Sequence, residues 1–178
     1  MANIVATSFF TGQLTIAQLT ESSVLTNLTA MIDKLEPEFL EKLLGYPLYK
    51  LYKTWDGNAV GKYKDLRDGL EYENRFGKST KWYGFKRSSV LSPIANYIYY
   101  WWLRKEVSVT SGNGERKANS AASINMSSVN KQVRAWNEMV EWNKEFWEFM
   151  YIKQDIYPEF DILRIDRNLF TVINVLGI

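Results

Sequence analysis

The chain has 178 residues, of which 46% are hydrophobic and 15% are aromatic, and its net charge is +2. This size and apolar content predict one folded domain and exclude a disordered chain, while the small net charge is atypical of a protein that binds nucleic acid over its whole surface. The sequence contains no cysteine and no histidine, which excludes disulfide bonds, thiol nucleophiles, zinc fingers and imidazole acid–base catalysis.

The first fifty residues predict an arm followed by a helical hairpin. Residues 1–21 mix threonine, glutamine and apolar residues without a clear period, so we predict an extended N-terminal arm or a leading strand. Two serines then offer a helix N-cap, and apolar residues follow at helical spacing as far as Leu35. Pro37 suits the first turn of a second helix that Gly45 ends, and a short helix restarts at Tyr46. The pattern predicts a kink at the proline.

Residues 54–89 form an inserted loop or small β-hairpin in this prediction, because five glycines separate charged and aromatic residues. A structureless segment of this length is unusual in a compact domain, so we expect part of it to form strands or to have a function. Four cations lie among its aromatic residues: Lys78, Lys81, Lys86 and Arg87 beside Phe76, Trp82, Tyr83 and Phe85. One interpretation is a surface that binds single-stranded nucleic acid through phosphates and stacked bases. The favoured interpretation is a hairpin whose aromatic side chains pack on the core while its cations remain in water.

Two helices in the second half carry the clearest pattern. Ser92 and Pro93 suit the N-cap and first position of a helix in which residues 94–103 are apolar on nearly all sides, as expected for a central buried helix. A polar hinge at residues 109–114 precedes a long helix over residues 128–151. Apolar side chains cover about 200° of that helix in two adjacent rows, whereas one core contact needs about 100°.

The excess apolar surface of the long helix has two interpretations. Both rows face one thick core, or one row packs internally and the other contacts a second subunit. We favour the second interpretation. The predicted subunit-interface residues are Tyr99, Trp102, Trp142, Phe146 and Phe149.

Residues 153–178 predict an extended, β-like C-terminal arm. Apolar and β-branched residues follow Pro158 with few charges between them. Apolar edges of this kind are normally covered, so we expect the arm to close the protein's own sheet or to dock on a partner. The candidate docking residues are Leu169, Phe170, Val172 and Val175.

No catalytic or metal-binding motif in the sequence is complete. Residues 57–62 lack both the spacing and the Ser or Thr of a phosphate-binding loop. Carboxylates pair at Glu71 with Glu73 and at Glu159 with Asp161, but nothing else in the sequence converges on them. We therefore predict no enzymatic activity, no cofactor and no metal. The longest apolar run is far shorter than the about 20 residues of a membrane-spanning helix, so we expect a soluble chain without a membrane partner.

The order of these features resembles one family. Five strings stand in sequence: Leu-Leu-Gly-Tyr-Pro-Leu-Tyr at 43–49, Trp-Tyr-Gly-Phe at 82–85, Ile-Tyr-Tyr-Trp-Trp-Leu-Arg at 98–104, Val-Thr-Ser-Gly-Asn-Gly at 109–114 and Ala-Trp-Asn at 135–137. Their order and spacing resemble the head–tail connector (adaptor) proteins of tailed bacteriophages, most closely the form in phages of gut Bacteroidetes, including the crAss-like group. The resemblance covers residues 24–152, and the 54–89 loop and the C-terminal extension depart from the simplest connectors.

The resemblance implies a mainly α subunit with a helical connector domain at residues 22–152 between the two arms. It also implies a homo-oligomeric ring of roughly twelve copies below the portal protein, with heterologous contacts between copies. Such a ring extends the DNA channel and docks the next neck or tail protein, without enzymatic activity. Within it, the candidates for a non-specific contact with channel DNA are Lys78, Lys81, Lys86 and Arg87 of the inserted loop. Its location is the virion neck, and the host cytoplasm during assembly. On this interpretation, Trp142→Glu or Phe146→Glu leaves the monomer helical but abolishes ring formation.

Three other functions remain open at this point. A tail-completion or stopper ring is supported by the same sequence features and differs only in which neighbouring proteins bind it. A small module that binds single-stranded nucleic acid would use the aromatic and basic residues of the inserted loop and would bind as a monomer in a salt-dependent way. An enzyme built on the paired carboxylates ranks last, because it needs a bound metal ion.

Overall fold

The computed structural model describes residues 3–57, 60–107, 109–111, 114–116 and 128–174, with only the backbone described for 106–116. The described chain is mainly helical, as predicted. The five α-helices are α1 (Ser22–Leu44), α2 (Tyr46–Thr54), α3 (Lys62–Asp68), α4 (Pro93–Val107) and α5 (Ser128–Ile152). Two antiparallel hairpins pair β1 (Leu70–Glu73) with β2 (Ser79–Trp82) and β3 (Val109–Ser111) with β4 (Gly114–Arg116). Short 3₁₀ turns lie at Thr7–Phe9, Gly12–Leu14 and Arg167–Phe170.

Helix α4 lies at the centre of the core, which confirms the prediction of a buried aromatic helix. The Ser92 hydroxyl accepts a hydrogen bond from the Ile94 N–H at 3.1 Å and caps its first turn. On one side Tyr97 contacts Phe39 of α1, with ring centroids 5.2 Å apart. On another side Tyr100 contacts Trp136 of α5 at 4.6 Å. Because neighbours surround it, this helix can be apolar on nearly all sides.

Helix α1 runs without interruption through Pro37, so the predicted division into two kinked helices is wrong. A proline inside a helix has no N–H for the carbonyl four residues earlier, which costs about 3 kcal/mol. The residues on either side of it, Leu35, Phe39 and Leu40, are buried in the core, and this burial offsets the cost. Gly45 ends α1 at a positive φ of 73°, as predicted.

The N-terminal segment, residues 3–21, is part of the core, and the prediction of an extended arm is wrong for it. Six apolar side chains of this segment are buried: Ile4, Val5, Phe9, Phe10, Leu14 and Ile16. The segment forms 3₁₀ turns instead of a strand or an α-helix. Its buried residues therefore follow neither the helical period nor the alternation of a strand, and the sequence pattern did not reveal them. Its backbone is held by α1, where the Glu36 carboxylate accepts the N–H groups of two successive residues.

The inserted loop contains the predicted β-hairpin and also a helix, α3, that the sequence pattern did not indicate. The end of α3 and the end of β2 approach closely at two glycines. A Cβ on Gly69 would lie 2.3 Å from the Trp82 carbonyl oxygen, and one on Gly84 would lie 2.4 Å from that of Arg67. The indole Nε1–H of Trp82 donates to the carbonyl oxygen of Leu66 at 3.2 Å, so the hairpin and α3 form one packed unit.

The C-terminal segment, residues 153–174, folds back along α5 without forming a strand, which corrects the predicted β-like arm. Side-chain amides on α5 bind its backbone. Asn143 donates to the Leu169 carbonyl oxygen at 2.8 Å, while Asn137 donates to the Ile173 carbonyl at 2.9 Å and accepts the Ile173 N–H at 2.8 Å. These bonds satisfy backbone groups that a sheet would otherwise pair, so the segment needs no partner strand.

Candidate docking surface

The five predicted interface residues lie inside the monomer. Tyr99, Trp102, Trp142, Phe146 and Phe149 are all buried. The inserted loop and the C-terminal segment cover the second apolar row of α5. The Phe146 ring lies 5.5 Å from the Trp82 ring of β2 and 5.8 Å from the Phe160 ring of the C-terminal segment. The second row therefore faces the protein's own core, and the interpretation that it contacts a second subunit is corrected. The first row packs on the core at Trp136, Val140 and Met150, whereas Trp147 near its end is exposed.

Arg87, predicted to face DNA, is enclosed instead. Its guanidinium lies 4.6 Å from the ring centroids of both Tyr83 and Trp142. It also pairs with the Glu145 carboxylate at 2.6 Å, and its side chain is only 13% exposed. A guanidinium held between two aromatic faces and a carboxylate stabilises the monomer. Because these contacts already occupy it, it is poorly placed to bind a phosphate. Lys78, Lys81 and Lys86, the other predicted DNA-facing residues, are exposed.

The hairpin tip, residues 74–78, presents an exposed aromatic ring with one cation beside it. The Asn74 side-chain oxygen accepts the N–H groups of Phe76 and Lys78 at 3.0 and 3.1 Å, which orders the turn. The Phe76 ring is 70% exposed, and the Arg75 guanidinium lies 4.8 Å from its centroid. The prediction that the hairpin's aromatic side chains pack on the core is therefore correct for Trp82 and Phe85 and wrong for Phe76 and Tyr83.

An apolar groove lies between the last turns of α5 and the C-terminal segment. It encloses about 380 Å³ and is lined by Lys144, Trp147, Ile162, Ile165, Arg167 and Phe170. Beside it, the Trp147 ring stacks on Tyr151 with centroids 5.6 Å apart and planes 18° apart. Leu163 is 77% exposed but lines a different cavity, together with Arg164 and residues of α1 and α2. The apolar groove and the stacked Tyr151 form one exposed apolar surface.

The charges around the apolar groove are positive. The Lys144 ammonium group pairs with Glu141 at 2.7 Å, on an exposed part of α5. The exposed Arg167 guanidinium makes no hydrogen bond or ion pair with any side chain that the structure describes. The groove therefore offers an apolar floor and hydrogen-bond donors at its rim.

Only part of the predicted docking arm reaches this surface. Phe170 lines the apolar groove, whereas Leu169 is buried against α5 and acts as a core residue. Val172 is half exposed beside the segment that Asn137 holds, and Val175 lies outside the described residues. Sequence reasoning did not select Trp147 or Ile162 as site residues. The apolar side chains of α5 exceed what one core contact needs, and this excess was the signal that could have identified Trp147.

A second unusual group is the carboxyl of Glu36, which is 2% exposed. Its oxygens accept the Ile4 N–H at 2.7 Å and the Val5 N–H at 2.9 Å. Burial raises the pKa of this carboxyl from 4.5 to about 7, although the two backbone hydrogen bonds act in the opposite direction. The nearby Tyr52 hydroxyl is buried without a hydrogen-bond partner among the described atoms, and burial raises its pKa too.

The paired carboxylates do not form a recognisable catalytic site. Glu159 pairs with the Lys62 ammonium group at 3.0 Å, and Glu71 and Glu73 are exposed on β1. Within the described ranges, no three acidic side chains are placed to hold a metal ion. None of the helices described is both long and apolar enough to cross a membrane. No known family model, curated protein or solved structure matches the chain, so its function has to be inferred from these surfaces.

Proposed function

We propose that the chain is a virion structural protein, a head–tail connector (adaptor) subunit that forms a ring below the portal. The ring would extend the DNA channel and dock the next neck or tail component. The observation that carries the proposal is the exposed apolar surface formed by the apolar groove and Tyr151. A structural subunit needs such a surface, whereas an enzyme needs converging catalytic groups.

The composition of this surface supports a protein contact. Trp147, Tyr151 and Ile162 are 38%, 55% and 44% exposed, although the same chain buries most of its other large apolar side chains. Single exposed apolar residues are ordinary, but a contiguous set is typical of protein–protein contacts. Tryptophan, tyrosine and arginine are also the residue types that contribute most binding energy at interfaces. Arg167, which lines the apolar groove, fits this pattern.

The order of sequence features supports the connector in particular. The buried aromatic helix and the long helix of the resemblance correspond to α4 and α5, which pack together as the centre of the fold. The contact surface in this proposal differs from the one that the sequence indicated. The sequence indicated one apolar row of α5, whereas the proposal uses the groove at the exposed end of that helix. A tail-completion or stopper ring would use the same surface, and the two are distinguished by which neighbouring proteins bind the ring.

Light scattering on the purified chain, alone and mixed with the portal protein of the same genome, tests the proposal. We expect a ring-sized species in at least one condition. Ile162→Asp should weaken this assembly, because it places a charge on a half-exposed residue that lines the apolar groove. Val60→Asp is the matched control, since Val60 is 80% exposed and lies outside that surface. A chain that stays monomeric and ignores the portal would contradict the proposal.

A small module that binds single-stranded nucleic acid is the second candidate, and the hairpin tip is the observation that favours it. An exposed Phe76 ring beside the Arg75 guanidinium, with the exposed Lys78 two residues further on, suits a stacked base with phosphates nearby. This function predicts that the monomer binds single-stranded DNA and loses affinity as salt rises. Binding by a chain that never assembles would favour this candidate over the connector.

A further inference from the structure

We propose that the apolar groove binds a segment of a neighbouring protein in which apolar side chains stand beside an aspartate or glutamate. The apolar side chains lie on the floor of the groove, and the carboxylate pairs with the Arg167 guanidinium. This inference rests on the proposed function, because it names the kind of partner that a connector would dock at this surface.

The floor of the apolar groove suits apolar side chains. Four apolar residues line it, from α5 and from the C-terminal segment: Trp147, Ile162, Ile165 and Phe170. The hydrogen bond from Asn143 to the Leu169 carbonyl holds these two parts of the chain together, so the groove exists before a partner arrives. Its volume of about 380 Å³ is at the lower end of the about 300–1,000 Å³ of ligand pockets. It therefore accommodates a few side chains of a partner.

The charged residues that line the groove, Lys144 and Arg167, are both cations. Lys144 is already paired with Glu141 at 2.7 Å. Asp166, which precedes Arg167 in the chain, accepts the Asn168 N–H at 3.0 Å and lines a different cavity. The exposed Arg167 guanidinium has no hydrogen-bond or ion-pair partner among the side chains that the structure describes. Its donors are therefore available to a partner.

A carboxylate is the group that this guanidinium is best suited to bind. The planar guanidinium donates two parallel N–H groups to the two oxygens of a carboxylate. Beside an apolar floor that a partner covers, such a pair is partly shielded from water, which strengthens the attraction. A wholly apolar partner would remove water from Arg167 without replacing its hydrogen bonds, and this costs affinity. The groove therefore selects a segment that is both apolar and acidic.

A second copy docked face to face on the same groove lacks this complementarity. In a two-fold contact each groove meets an identical groove, so the Lys144 and Arg167 cations of the two copies approach one another. Like charges brought together at an interface oppose binding. The charges of the groove therefore favour a different protein, one that presents the opposite charge.

Selection from a library of random short peptides displayed on yeast tests the chemistry of the occupant. Peptides that bind the Ile162→Asp variant are removed first, because this variant carries a charge in the groove. The remaining peptides are then selected on the wild-type chain. We expect the enriched peptides to share apolar residues next to an aspartate or glutamate. An empty selection, or enriched peptides without a common acidic residue, would overturn the proposal.

Fluorescence anisotropy with the most enriched peptide measures the charge contact. Arg167→Gln should weaken binding about tenfold, and so should replacement of the peptide's acidic residue by its amide. The two changes together should cost little more than either alone, because both remove the same pair. Arg164→Gln is the matched control, since it removes the same charge from an exposed arginine that lines a different cavity. Equal losses in the two arginine variants would indicate long-range attraction alone and would overturn the pairing at Arg167.

The outcomes separate this inference from the connector proposal. If acidic peptides bind as expected but no ring forms alone or with the portal protein, the connector proposal fails and the groove's ligand stands. If the ring forms and the selection yields no acidic peptide, the inference fails and the connector proposal stands. Self-association of the chain alone that Ile162→Asp abolishes would show that a second copy covers the groove, and it would overturn the assignment to a different protein.

Discussion

The buried carboxyl of Glu36 predicts a pH dependence of stability that one substitution should remove. Its pKa is raised from 4.5 to about 7 in the folded chain, mainly by burial. The folded chain therefore keeps a proton that the unfolded chain releases between these pH values. The contribution to the free energy of unfolding is largest below pH 4.5 and is lost as the pH rises to 7. The difference between the two pKa values corresponds to about 3 kcal/mol.

Burial is the largest cause of the raised pKa of Glu36, so the pH dependence of stability tests the effect of desolvation on this carboxyl. Three groups affect the carboxyl besides burial: the backbone N–H groups of Ile4 and Val5 lower its pKa, and the Asp33 carboxylate on the same helix raises it. The Tyr52 and Tyr49 hydroxyls face it from α2. Glutamine keeps the shape of the side chain but cannot titrate. In Glu36→Gln, this part of the pH dependence should be absent.

Urea unfolding followed by circular dichroism from pH 4.5 to 7.5 measures the effect. We expect the wild type to lose about 3 kcal/mol more than Glu36→Gln over this range. Glu41→Gln, an exposed position on the same helix, should follow the wild type, and the subtraction cancels the other carboxylates. Parallel curves for wild type and Glu36→Gln would refute the argument that burial controls this group.

Three further predictions concern the core, a glycine and the hairpin tip. Phe146→Ala should lower the free energy of unfolding by about 3–5 kcal/mol, because its ring is fully buried, while Trp147→Ala on the groove should cost clearly less; equal losses in urea unfolding would contradict this. Gly84→Ala should cost about 1–3 kcal/mol in thermal unfolding, because φ is +81° and the new Cβ would meet the Arg67 carbonyl. A Gly84→Ala variant that is as stable as the wild type would contradict the close approach of residue 84 to the Arg67 carbonyl. If the monomer binds single-stranded DNA, Lys78→Ala should reduce its salt slope by about 1 in fluorescence anisotropy; an unchanged slope would exclude a phosphate contact at this lysine.

The corrected position of Phe146 changes an expectation drawn from the sequence. Phe146→Glu was expected to leave a helical monomer and abolish the ring, but the side chain is 0% exposed among aromatic neighbours. A buried, unpaired carboxylate is strongly destabilising. We now expect this variant to unfold the monomer, so it cannot test assembly. Ile162→Asp, on the exposed surface, replaces it as the informative substitution.

Some elements could be predicted from the sequence because their causes are local. The start of α4 at Ser92 and Pro93, the end of α1 at Gly45 and the length of α5 all follow from caps, glycine conformation and helical period. Each of these depends on a few neighbouring residues. The absence of histidine and cysteine was equally visible, and it removed whole classes of chemistry.

Only the tertiary structure decided what covers the apolar surface of α5. A helical period records that a side chain is apolar, but it does not say whether its neighbour comes from the same chain or another copy. Here Trp82, Phe85 and Phe160, distant in sequence, cover the row that had suggested a second subunit. Asn143, which interrupts the other row, binds the returning backbone at Leu169. Contacts between distant segments depend on how the whole chain closes, and local pattern does not contain that information.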